Sequence, residues 1–216
     1  MRKGFCLSMG LALIGALMLA TPARAAVVYR NINDDPTLPS EAIPNNVEIG
    51  DDVLLEGSER VVTQFSIPIY NSINSAYTGS FTARFYEFGE SGLPEGAPIW
   101  QGIALVTNGA GGDRTLVFPV PNVTVPDQFA WTLEFTTTLA STEEDGIGPL
   151  LNDIPQVGDS LNEFYVRDNG AFGAFNYVDD GTPQANFQAE IIAEVPEPAA
   201  LGFLAVGALG LLRRRR

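Results

Sequence analysis

Carboxylates are the only side chains numerous enough here to build a reactive or ligating centre. The 216 residues hold 26 Asp and Glu against 12 Lys and Arg, with one Cys and no His. Without His there is no Ser-His-Asp triad and no imidazole metal ligand. One Cys, Cys6, supports neither an internal disulfide nor a Cys-rich zinc site. Acids cluster at Asp34-Asp35, Asp51-Asp52, Glu143-Glu144-Asp145 and Asp179-Asp180, and two of these clusters run into glycine, at Gly146 and Gly181. Hard cations take oxygen ligands, so structural calcium is the cofactor such residues could hold, with Asp51, Asp52, Asp179 and Asp180 as its candidate ligands. None of the clusters has the alternating spacing of an EF-hand loop, and solvated loop charge is the competing reading. Glycoside hydrolysis needs two facing carboxylates, but 26 acids supply pairs anywhere, so no catalytic residue is assigned. There is no Gly-x-Ser-x-Gly elbow and no phosphate-binding glycine loop. The expectation is a protein that is not an enzyme.

Sugar binding asks for an exposed aromatic platform. Trp100 follows Pro98-Ile99 at a loop-strand junction and is the candidate ligand-binding residue; Tyr70, Tyr77, Tyr86, Tyr165 and Tyr177 are also available. Core packing is the alternative for each ring, and Trp131, alternating with Phe129 and Leu133, reads as core. A formal charge of −14 excludes a nucleic-acid partner, which needs a basic footprint.

The elements that must position these residues are strands. In Phe129-Ala130-Trp131-Thr132-Leu133-Glu134-Phe135 every second side chain is large and apolar, a period of two. In Val61-Thr63-Phe65-Ile67-Ile69 every second residue is apolar or β-branched. Val27–Ile32, Phe81–Phe88, Ile99–Thr107, Thr115–Val120, Glu163–Arg167 and Phe187–Ala193 read as further strands. Between them lie turn signals, among them Glu90-Ser91-Gly92, Asn108-Gly109 and Asp168-Asn169-Gly170. About eight strands at this spacing predict an all-β fold, an antiparallel β-sandwich of jelly-roll type, over residues 26–194.

The two ends carry different grammar. Arg2 and Lys3 precede an apolar stretch from Phe5 to Ala20, then Thr21-Pro22 and Ala23-Arg24-Ala25. This is the charged, apolar and small-x-small order of a secretory signal helix, with Ala23 and Ala25 setting a cut before Ala26. The tail runs Val195-Pro196-Glu197-Pro198, then an apolar segment from Ala199 to Leu212, then Arg213, Arg214, Arg215 and Arg216. As a helix, 14 residues span about 21 Å, against roughly 30 Å of hydrocarbon, so the predicted transmembrane helix is short. The arginines hold its end in the cytoplasm. Pro196 and Pro198 fix an extended strip just outside the bilayer, suited to a protease cleft. Removing the signal and the four terminal arginines leaves five arginines against the 26 acids, a net of −21. Such a domain is soluble and repels other anionic surfaces.

The tail VPEPAALGFLAVGALGLLRRRR resembles the PEP-CTERM protein-sorting signal of Gram-negative bacteria, matching its Pro-Glu-Pro start, short hydrophobic helix and arginine cluster in order. The resemblance implies recognition by an exosortase at Pro196, Glu197 and Pro198, with Arg213 to Arg216 orienting the chain in the inner membrane. It also implies transient anchoring, cleavage near the triplet, and delivery to the cell surface or extracellular matrix. Extracellular polysaccharide is the further partner it suggests, which keeps a carbohydrate-binding or adhesive module as the alternative. The stretch from Gly50 to Trp100 resembles surface β-sandwich domains attached to such anchors.

Overall fold

The computed structural model describes residues 24–33, 43–71, 77–109, 111–137, 146–152, 155–161, 163–175 and 186–195, all of them strand, turn or loop. The predicted signal helix and transmembrane helix lie outside these residues. So do Ala23, Asp179, Asp180, Pro196, Glu197, Pro198 and Arg213 to Arg216.

The alternation read in the sequence appears as strand faces. The strands are β1 (Arg24–Asn31), β2 (Glu48–Leu54), β3 (Val61–Asn71), β4 (Tyr77–Phe88), β5 (Pro94–Gly109), β6 (Arg114–Thr124) and β7 (Gln128–Thr137). They continue with β8 (Ile147–Pro149), β9 (Leu151–Asn152), β10 (Phe164–Asp168), β11 (Ala171–Phe175), β12 (Asn186–Phe187) and β13 (Ala189–Val195). One sheet runs β1-β13-β3-β6, with β8 also on β3; the other runs β11-β10-β2-β7-β4-β5. Among the described residues every strand pairing, such as Phe85 opposite Trp131 and Phe65 opposite Phe118, is antiparallel. The unit these strands build spans Ala26–Glu194. β1 already begins at Arg24, two residues ahead of the expected signal cut.

The two sheets face each other through one aromatic core. Phe65 of β3 stands at its centre, with ring centroids 5.1 Å from Phe85, 5.4 Å from Trp131 and 6.2 Å from Phe118. Phe129, Trp131, Leu133 and Phe135 are all buried, as their alternation requires. Each such side chain contributes about 1.5–3 kcal/mol by leaving water, and offset or edge-on ring pairs add roughly 0.5–1.5 kcal/mol. A core of this size explains how a chain without disulfides holds its shape.

β5 carries Pro94 and Pro98 and lies at the end of its sheet, where a missing N–H costs no ladder bond. The β10–β11 hairpin turns at Asn169 and Gly170, with φ of 52° and 90°. Two consecutive positive φ values are the type I′ geometry that matches strand twist, and Asn-Gly is the pair that adopts it.

Candidate functional site

Two polar clusters stand out, both centred on β2. The first lies on the face of the six-stranded sheet turned away from the aromatic core. In β4 the core takes Phe81, Ala83 and Phe85, so Thr82, Arg84 and Tyr86 point the other way. Cross-strand pairing sets Arg84 beside Thr132 and Gln101, and Arg167 beside Glu48 and Phe172. Glu48, only 4 % exposed, is the hub. Its Oε2 lies 3.3 Å from Arg84 Nη1 and 3.3 Å from Arg167 Nη1, and its Oε1 accepts from Thr132 Oγ1. Arg84 Nη2 reaches Glu134 at 2.7 Å, and Arg84 Nε donates to Gln101 Oε1 at 2.9 Å. Arg167 Nη1 also donates to Tyr86 Oη at 3.2 Å, and the guanidinium sits 5.3 Å over the Phe172 ring. Burial, reinforced by Glu48, pushes the Tyr86 phenol up to about 12. The two arginines and two glutamates balance in charge.

Arg167 and Phe172 lead from this network into a cleft of about 310 Å³. Its walls come from two hairpin regions: Ser91 to Gly96 around the β4–β5 turn, and Gly170 to Phe172 around the β10–β11 turn. Sequence reading did not find this cluster. The signal was present in the outward phase of Phe81–Phe88, but β2 was not among the expected strands, so Glu48 had no place.

The second cluster is the acidic pair. Asp51 and Asp52 are each 1 % exposed. Asp51 Oδ2 accepts from the Phe187 backbone N at 2.8 Å, and its Oδ1 accepts from Asp52 N at 2.9 Å. Asp52 Oδ1 accepts from Leu161 N at 2.9 Å and its Oδ2 from Gln128 Nε2 at 3.1 Å. Ser160 Oγ lies 3.3 Å from an oxygen of each carboxylate. Every carboxylate oxygen therefore already serves an N–H donor. The pair is built to clamp β2 to β12, β7 and the 159–161 segment rather than as an open cage of oxygen ligands. Among the described residues no group of three or more ligating side chains assembles. Burial, then the neighbouring Asp52, holds the Asp51 carboxyl well above the usual range, and burial raises Asp52 too. Tyr29, beside them on β1, is raised by burial and by both carboxylates.

Trp100 is not an exposed platform. It is 7 % exposed, pairs with Phe85 across the ladder, and packs 4.6 Å from the Phe85 ring centroid and 6.5 Å from that of Phe65. Pro98 marks an edge strand here, not a loop end, so Trp100, two residues on, keeps an inward phase. Trp100→Ala should lower stability by about 3 kcal/mol through the cavity it leaves. Chemical denaturation checks this, and an unchanged midpoint would contradict the assignment of Trp100 to the core.

No curated protein and no solved structure matches the chain. Residues 194–216 match a family model described as the PEP-CTERM protein-sorting motif. The match begins inside β13 and covers the triplet, the apolar segment and the arginine cluster. By that match, this chain is a carrier of the PEP-CTERM sorting motif.

Proposed function

We propose that the chain is exported, sorted at the inner membrane by an exosortase, and left at the cell surface or in the extracellular matrix as a non-enzymatic constituent. The observation that carries this reading is the sorting-motif match at residues 194–216. The motif implies export, an exosortase as processing partner and transient anchoring before the cut. The N-terminal signal grammar and the terminal arginines agree on direction: both put residues 26–194 outside the cytoplasm. The payload reads as a jelly-roll sandwich. Apart from the β4–β5 hairpin, its long strands pass from one sheet to the other in chain order, β1-β13-β3-β6 against β2-β7-β4-β5, which agrees with that winding. The outward carboxylates Glu48 and Glu134 are both held by Arg84, the arrangement of a structural ion-pair network.

Fractionation of host cells tests the proposal. With exosortase present the chain is expected in the surface or extracellular fraction; without it, in the inner membrane. The same distribution in both strains would contradict sorting. Changing Arg213 to Arg216 to Ser removes the charge that orients the segment, and the retained fraction should fall. Unchanged retention would show that the cluster is not needed.

A second reading, a carbohydrate-binding or adhesive module, is favoured by one observation: the cleft beside Arg167 and Phe172.

A further inference from the structure

We propose that the cleft between the β4–β5 and β10–β11 hairpins binds one unit of a neutral polysaccharide, with the exposed part of the Phe172 ring against the sugar and Arg167 and Glu95 on its hydroxyls. This rests on the second reading above and gives it a place. Its volume, about 310 Å³, is at the small end of the roughly 300–1,000 Å³ typical of small-molecule clefts. It therefore suits a single sugar unit rather than a folded partner.

The lining supplies what a pyranose needs. Sugar hydroxyls both donate and accept, so they are met by a donor-only group beside an acceptor-only group. Arg167 and Glu95 are such a pair, and Ser91 adds a hydroxyl. Arg167 is preorganised: Glu48, Tyr86 and the Phe172 ring already fix it, and its Nε and Nη2 donors are not used in those contacts. Preorganisation lowers the ordering cost of binding. Phe172 is half-buried, with Arg167 over one side of its ring and Tyr86 in a T-shaped contact at 5.2 Å, and its remaining exposed part offers apolar surface for a sugar's C–H face.

Charge selects a neutral ligand. Arg84 and Arg167 are balanced by Glu48 and Glu134, Glu95 adds a negative charge at the cleft, and residues 26–194 carry five arginines against 25 acids, a net of −20. A uronate or sulfated chain would meet this field as a like charge. The wall positions at two glycines face open space. Gly96 and Gly170 stand in its walls with φ of 77° and 90°, and nothing lies within 4 Å of where their Cβ atoms would be.

The experiment titrates the chain, purified as its cells release it, with cellotriose, mannotriose, galactotriose and trigalacturonate, using calorimetry and ligand-observed NMR. At least one neutral trisaccharide should bind, and trigalacturonate should bind at least tenfold more weakly. Phe172→Ala and Glu95→Gln should each weaken the neutral ligand by about tenfold, the loss of one stacking or hydrogen-bonding contact. Glu95→Gln should leave the melting temperature within a degree or two, because Glu95 is exposed; Phe172→Ala should lower it by a few degrees, because the half-buried ring packs on Tyr86 and Arg167, so its titration is run well below its own melting temperature. Neutral binding that survives both substitutions would overturn the cleft assignment while leaving the module reading intact. No binding by any neutral trisaccharide, or preference for trigalacturonate, would overturn the proposal. If polysaccharide columns also failed to retain the chain, the module reading would fall with it.

Discussion

Asp51→Ala should destabilise the sandwich by about 4 kcal/mol, a large share of the roughly 5–15 kcal/mol that holds a domain together. Substitution takes the Asp51 acceptor from the buried N–H groups of Phe187 and Asp52, while the Ser160 hydroxyl keeps Asp52 Oδ1 and the Leu161 carbonyl. An unsatisfied buried donor costs about 1–3 kcal/mol. Relief of the repulsion from Asp52 offsets part of that sum. For a domain of this size the melting temperature should fall by roughly 8–16 °C. A loss below 1 kcal/mol would mean that the clamp does not hold β12 to β2.

The same pair sets a pH dependence of unusual sign. Asp51 and Asp52 have folded-state pKa values above their unfolded ones, so the native state holds its protons more tightly. Their contribution is complete below the unfolded carboxylate value. It is lost progressively as pH rises from there through the raised folded values. Stability should therefore increase as pH is lowered from 7 toward 4.5, where many proteins lose it. Asp51→Asn removes one titration and should flatten that rise. Thermal melts of both proteins across this range check it, and equal slopes would contradict the shared-burial account.

Replacing Pro196, Glu197 and Pro198 together by Ala should abolish processing, slowing it by about a hundredfold or more. Proline locks φ near −65° and bars helix formation through the residue before it, whereas alanine is the best helix former. The apolar helix predicted from Ala199 could then extend back toward β13, which ends at Val195, and the extended strip would disappear. Glu197→Gln keeps the backbone constraint and removes only the charge, so it separates shape from electrostatics. Pulse-chase of the tagged chain reads both. The sandwich should melt unchanged, because the substitutions begin just beyond its last strand. Normal processing of the triple variant would remove the triplet from the recognition step.

The sequence showed where strands with strong alternation lie. Phe129 to Phe135 is the clearest: four large apolar residues in one phase, and all four buried. β2 was illegible for a physical reason. Gly50, Asp51 and Asp52 disfavour a strand by composition. Their carboxylates are satisfied by Phe187, Leu161 and Gln128, between 76 and 136 residues away. Gly50 is there because a Cβ would meet the Trp131 carbonyl oxygen at 1.9 Å, a cross-strand fact that no local pattern shows. Trp100 misled because Pro98 is normally loop punctuation, and only the sheet order reveals an edge strand that tolerates it. The outward network needed both β2 and the pairing of β10 with β11, so it could not be assembled from local signals, although the Asn169-Gly170 turn within it was read as a turn.

Intact mass of the chain recovered from its own host, with and without exosortase, bears most directly on whether the tail is removed after export. The account predicts a mass ending near Pro196-Glu197-Pro198 when the enzyme is present, and that of residues 26–216 when it is absent. A mass of residues 26–216 from cells that contain the enzyme would contradict it.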